Sequence, residues 1–225
     1  MGLDLYAKIE PLLGFEEQKR RLHELFLKKV QALGIKRLLD IGCGSGTFLR
    51  MAKEAGIDAV GIDLSSAMVD KARSQGLDCR CVDLCQLKGR YEGAVAIFDV
   101  LNYIEPDKIQ AFLQCVADVL EDGGFFLADI NTLYGFEEVA QGSIWIDAND
   151  RFAALEAEFE DNKLLTKMVY FQEENGCFRK ESGVIVQYYH DVTLLKQAGL
   201  SIIDIDFVEL FGDRPDKALL TFQKG

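Results

Sequence analysis

Asp40, Asp63, Asp83 and Asp99 each follow a short apolar run, and the first of them opens at once into Gly42-Cys43-Gly44-Ser45-Gly46. Carboxylates at strand ends can accept hydrogen bonds from hydroxyl and amino groups. Glycines that lack a Cβ let a ligand reach the main-chain N–H groups. The types and spacing therefore suit a nucleoside-bearing ligand: backbone contact over Gly42 to Gly46, ribose hydroxyls on Asp63, and an adenine edge near Asp83-Leu84. A dinucleotide site would place its third glycine one residue later, as Gly-x-Gly-x-x-Gly, over a helix that cradles a pyrophosphate. Here the pattern is Gly-x-Gly-x-Gly with Thr47 next, which argues against a nicotinamide oxidoreductase.

Hydrophobic patterning supplies the elements that must position these residues. Leu38 to Ile41, Ala59 to Ile62, Cys79 to Val82 and Gly93 to Phe98 read as short buried strands, with Ser65 as the N-cap of the helix after the second. Four polar strand ends on one rim form a site, because open α/β sheets bind ligands beyond the carboxyl ends of their strands. Upstream, Leu22, Phe26, Val30 and Leu33 recur at helical spacing, so residues 1–34 form one short and one longer helix over the cleft. A helix over 106–120 begins near Pro106 and is expected to end at Gly123-Gly124, before a strand from Phe125 to Ile130. Beyond it the period changes to two. Leu155, Ala157 and Phe159 alternate with Glu156, Glu158 and Glu160, and turns at Asp161-Asn162 and Asn175-Gly176 separate strands over 164–171 and 177–189. A helix near 191–198 and strands near 201–208 and 217–223 complete the chain.

The segment from Leu38 to Gly46, with Val60 to Asp63, Cys81 to Leu84 and the Asp-x-Leu-Asn-Tyr core of Ile97 to Ile104, resembles the class I S-adenosylmethionine-dependent methyltransferases. Leu120 to Phe125 is similar to that family's turn before strand five. The resemblance implies a Rossmann-like, mostly parallel seven-stranded sheet with helices on both faces and its last strand antiparallel. It places an inserted antiparallel β cap, residues 135–190, after strand five and over the acceptor site, within one domain spanning 1–225. It implies S-adenosylmethionine as cofactor, contacted by Asp40, Gly42, Cys43, Gly44, Gly46, Asp63, Leu64, Asp83, Leu84, Phe98 and Asp99. Its motifs identify the cofactor far better than the acceptor.

On the acceptor side Asn102 and Tyr103 follow strand four, Asn131 and Tyr134 follow strand five, and His190 stands where the cap hands over to a helix, within reach as a base. His23 beside the apolar stripe reads as solvated, and Trp145 as a wall of the site or as packing. A formal net charge of −12 makes nucleic acid an unfavourable partner, since that affinity comes from Lys and Arg. Acids outnumber bases eleven to five over residues 132–190, which reads as a solvated face or, if it lines the pocket, as favouring a neutral or cationic small-molecule acceptor. No signal-like segment and no apolar run of membrane-spanning length is seen, and six cysteines without a zinc pattern read as small core residues under reducing conditions, so a cytoplasmic location is expected. Oligomeric state is open. The alternative function is a non-catalytic S-adenosylmethionine-binding scaffold, because fold alone does not guarantee activity.

Overall fold

The computed structural model describes residues 2–195 and 199–225. Its elements run α1 (Gly2–Ile9), α2 (Glu16–Ala32), β1 (Arg37–Ile41), α3 (Thr47–Glu54), β2 (Asp58–Asp63), α4 (Ser66–Ser74), β3 (Cys79–Cys81), β4 (Tyr91–Ala96), α5 (Ile109–Val119) and β5 (Leu120–Asn131). The cap strands β6 (Gly142–Ala148), β7 (Arg151–Glu160), β8 (Lys163–Glu174) and β9 (Cys177–Tyr188) follow, then β10 (Leu200–Val208) and β11 (Lys217–Lys224). Seven strands form one sheet in the order β10-β11-β5-β4-β1-β2-β3, parallel from β5 to β3, with β11 antiparallel to both neighbours. The chain order reverses between β1 and β4, and that reversal is where such sheets open a crevice.

Two apolar layers sandwich the sheet. Leu113, Val116 and Leu120 pack with Phe126 and Phe222 on one face, while Leu22, Phe26 and Val30 of α2 pack with Leu38, Val95 and Leu219 on the other. The stripe read from the sequence is therefore buried as expected. Lys29, on the same helix, pairs with Asp204 and Asp206 and so ties α2 to edge strand β10. Among the described residues, no helix is long and apolar enough to cross a membrane.

The cap is a separate four-stranded antiparallel sheet, β6-β7-β8-β9. Asn162 and Asn175 sit at its hairpins in left-handed backbone (φ 61° and 55°), as the turn residues predict. Its inner face closes on α1: Leu5 and Ile9 share a core with Ala153, Leu155, Met168 and Ile185. The N-terminal helix is thus part of the lid.

Several expectations are corrected. The cap has four strands rather than three; β6 escaped notice because most of its side chains are exposed, leaving no alternation to detect. Gly123-Gly124 does not end a helix. Leu120 already pairs with Tyr91, and the glycines lie in a bulge before Phe125 pairs with Gly93. In the region read as a helix near 191–198, residues 192–194 form a single 3-10 turn, and 196–198 lie outside the described residues. The cysteines are not all free: Cys85, on the turn after β3, is joined to Cys115 of α5 by a disulfide. Only the fold brings together two residues thirty positions apart.

Candidate functional site

The glycine loop leaves β1 with all three glycines in left-handed backbone, φ 75°, 52° and 84° at Gly42, Gly44 and Gly46. At Gly46 a Cβ would also stand 2.4 Å from Leu77 Cδ1, so that side chain would have to shift to admit one. A Cβ on Gly44 would meet nothing within 4 Å, so that glycine faces open groove. Asp63 at the end of β2 braces the loop: Oδ2 accepts the Gly44 N–H at 2.9 Å and Oδ1 the Ser65 N–H at 2.8 Å. Each oxygen retains capacity to accept a further hydrogen bond. Ser65 caps α4 through Met68 N–H, as its position suggested. Cys43 Sγ lies 2.7 Å from Cys79 Sγ, packing the loop against β3, and burial pushes both thiols up.

Two residues in this groove are placed at a cost in free energy. Asp40 is buried, its Oδ2 has no hydrogen-bond partner among the described residues, and burial, with the Asp63 charge adding, pushes its carboxyl up to about 7. Leu64 is 75% exposed, and Asp83, also exposed, accepts the Cys85 N–H through its carboxylate. A buried acid without a partner among the described residues, a carboxylate with spare acceptor capacity and a solvent-facing leucine suit a ligand that carries an amino group, hydroxyls and an apolar face.

A testable consequence concerns Asp40. Its carboxyl titrates above the unfolded value of about 3.9, so the folded state holds a proton that the unfolded state releases, and stability falls as pH rises from about 4 to about 7. Asp40→Asn is therefore expected to unfold at a higher temperature than wild type at pH 8, by several degrees for about 1–3 kcal/mol, and to show no such gain at pH 4. The same variant should bind S-adenosylmethionine more weakly. Calorimetry and thermal melts at the two pH values check both halves.

Between the large sheet and the cap lies a cavity of about 580 Å³. Tyr6 of α1, Glu10 after it, Phe98, Asp99 and Tyr103 after β4, and Gln187 of β9 contribute to its walls. Asn131, Asp216 and Lys217 do so from the ends of β5 and β11. Burial, then the negative charge of Glu10 and Asp99, pushes the Tyr6 phenol up to about 12, and burial raises Tyr103 further, so both remain protonated. Gln18 at the start of α2 also faces this space, and its buried Oε1 has no partner among the described residues.

An ion cluster forms the floor. Lys217 Nζ binds the Asp99 carboxylate and lies 3.1 Å from Asp129 Oδ2. Asp129 in turn accepts the N–H groups of Phe98 at 2.7 Å and Asp99 at 3.2 Å. Those two residues are in left-handed backbone, φ 65° and 63°, which costs a non-glycine residue about 1–3 kcal/mol. The Asp129 carboxylate holds them there. Burial alone lowers the proton affinity of Lys217, but the two carboxylates outweigh it and hold that affinity above normal.

The residues expected at an acceptor site divide into two groups. Tyr103 and Asn131 line the cavity, and so do Phe98 and Asp99, which the resemblance assigned to the cofactor. Asn102, Tyr134 and His190 stand elsewhere. Asn102 is fully buried, its Nδ2 donating to Tyr188 O and its Oδ1 accepting Asn131 N–H. The Tyr134 hydroxyl is hydrogen-bonded to Asp213 at 2.6 Å, with Arg214 over its ring. His190 Nε2 is 3.0 Å from both Leu101 O and Ile104 O, beside a smaller cleft with Ile109 and Leu195, and burial lowers its proton affinity. Trp145 is 71% exposed on the cap's edge strand. His23, read as solvated, is buried between Phe48 and Phe98, and desolvation followed by Lys19 pushes it down to about 4. Sequence reasoning missed Tyr6, Glu10, Gln18, Asp129 and Lys217. For Lys217 a signal existed, because it heads the apolar run Ala218-Leu219-Leu220 with Asp216 before it.

Comparison with known proteins points to the same fold. A family profile described as a methyltransferase domain matches residues 38–124. A Geobacillus sp. (strain WCH70) protein named as a methyltransferase is 25% identical over 203 residues, covering 81% of this chain and 82% of its own length. The crystal structure of an S-adenosylmethionine-dependent methyltransferase from Clostridium acetobutylicum superposes with a TM-score of 0.80 at 20% identity, covering 99% of this chain and 97% of that one. A sugar N-methyltransferase from Streptoalloteichus sp. does so with a TM-score of 0.75 at 16% identity, covering 100% and 94%.

Proposed function

The chain belongs to the class I S-adenosylmethionine-dependent methyltransferases, and from that premise we propose that it methylates a nitrogen or oxygen of a small molecule held between the sheet and the cap. The cavity carries this reading. Its floor, the Phe98-Asp99 segment, continues directly into Val100, whose side chain lies 3.0 Å from where a Cβ on Gly42 would stand. The cofactor loop and the acceptor space are thus neighbours along one short stretch of chain.

S-adenosylmethionine supplies an electrophilic methyl group on a sulfonium centre, and the protein's task is to align a nucleophile and exclude water. Asp63, Asp83, Leu64 and Leu84 would hold the nucleoside, while Asp40 and the Gly42–Gly46 loop would hold the amino-acid end. Tyr103 and Asn131 would contact the acceptor, and α1 with the cap would shut out solvent. His190, bonded to two carbonyls of the loop after β4, is assigned to holding that loop. The net charge of −12 supports a small-molecule acceptor over nucleic acid. The sugar N-methyltransferase among the structural neighbours supports it independently.

The direct test is ligand-dependent melting followed by methyl transfer. At one hundred times its dissociation constant S-adenosylmethionine should stabilise the protein by about 2.7 kcal/mol, and its demethylated product should also stabilise it. NAD should leave the melting temperature unchanged. Stabilisation by NAD alone would overturn the assignment.

A further inference from the structure

We infer that Asp99 is the acceptor's polar anchor and that the group it anchors is an amine, so that the reaction is N-methylation. The inference rests on the methyltransferase reading above and narrows its substrate class. Its first support is the arrangement that places Asp99. Two consecutive non-glycine residues, Phe98 and Asp99, are held in left-handed backbone, and an aspartate and a lysine, Asp129 and Lys217, are buried beneath them. Each feature disfavours folding when taken alone. Their joint product is one carboxylate, 18% exposed, fixed at the cavity wall beside the cofactor loop.

The second support is the absence of a base among the described residues lining the cavity. Glu10 is paired with Lys19 at 2.9 Å, Asp99 with Lys217, and Asp216 accepts the N–H groups of Leu210 and Phe211. Each carboxylate therefore already carries a donor. Tyr6 and Tyr103 are protonated phenols, and neither histidine lines the space. A hydroxyl acceptor needs its proton removed as it attacks. A neutral amine does not, because it brings its own lone pair.

Charge favours the same answer. Two carboxylates and one ammonium leave the cluster with one excess negative charge. As the amine lone pair forms the new N–C bond, the C–S bond breaks with its electrons remaining on sulfur, and positive charge passes from sulfur to nitrogen. One N–H proton later leaves to water. A carboxylate that accepts a hydrogen bond from that nitrogen stabilises charge that is absent before the reaction, and such differential stabilisation accelerates the step. For a neutral ether product Asp99 would offer no such gain.

The test incubates the protein with methyl-labelled S-adenosylmethionine and a small-metabolite extract, removes the unreacted cofactor, itself a cation, by reversed-phase chromatography against a no-enzyme control, then separates the products by cation exchange at pH 7. The label is expected in the basic fraction. Asp99→Asn, which keeps shape and removes charge, is expected to lower kcat/KM for the basic product about 100-fold or more. Its affinity for S-adenosylmethionine by calorimetry should stay within about twofold of wild type. Label in a neutral or acidic fraction overturns the inference, and so does an Asp99→Asn variant whose cofactor affinity falls as far as its turnover. The wild-type partition needs no variant to fold. Label in no small-molecule fraction, from protein that binds S-adenosylmethionine, would instead overturn the small-molecule reading beneath it.

Discussion

In Asp63→Ala, S-adenosylmethionine binding is expected to weaken by about 10- to 100-fold, corresponding to the loss of a charge-assisted hydrogen bond of about 1.5–3 kcal/mol. Position alone would predict some loss, because Asp63 ends the strand beside the glycine loop. The structure sharpens the expectation, since the same carboxylate accepts the Gly44 and Ser65 N–H groups. Its removal therefore takes away the ligand's partner and also unties the loop that approaches the ligand. Asp63→Asn should fall between wild type and alanine, because an amide retains one acceptor oxygen but cannot receive both N–H groups. Calorimetric titration separates the three proteins. An unchanged affinity in the alanine variant would remove Asp63 from the site.

Lys217→Met is expected to cost about 3–5 kcal/mol of folding stability, the usual effect of removing one partner from a buried charged cluster. Lys217 is 1% exposed and Asp129 is fully buried, so no solvent replaces the lost ammonium. Burial, only partly offset by Lys217, already pushes the Asp129 carboxyl up to about 6, and without the lysine that group is left as a buried charge or takes up a proton. A second change, Asp129→Asn, should recover part of the loss in the Lys217→Met background while being destabilising by itself. Residues in one network are not additive. Urea unfolding of the four proteins checks the sign of the coupling, and strict additivity would show that the contact does not stabilise the fold.

Much of the core was legible because its signals are local. A strand's burial, a capping serine, a glycine that must take positive φ and an Asn-Gly hairpin depend on neighbours within a few residues. Hence the glycine loop, the Asp63 and Asp83 strand ends and the antiparallel cap could be expected from the chain alone, and the family resemblance added a seven-stranded sheet with its last strand antiparallel. Where local patterning was weak, as in exposed β6 or the bulge at Gly123-Gly124, element boundaries were misplaced. The chemistry of the cavity belongs to a different class of information. Lys217 reaches Asp99 and Asp129 only because β11 lies antiparallel beside β5, with Lys217 opposite Asn131, and β5 lies beside β4. Tyr6 and Glu10 enter the same cavity because α1 buries Leu5 and Ile9 against the cap. The disulfide between Cys85 and Cys115, the burial of His23 and the commitment of Asn102 and His190 to backbone partners were likewise settled by packing. Sequence by itself determined the cofactor-binding frame, because short-range backbone demands leave a mark on residue types. Tertiary structure alone decided which side chains face the cavity, because those groups meet through strand order and the docking of remote elements, and neither imposes a fixed spacing along the chain.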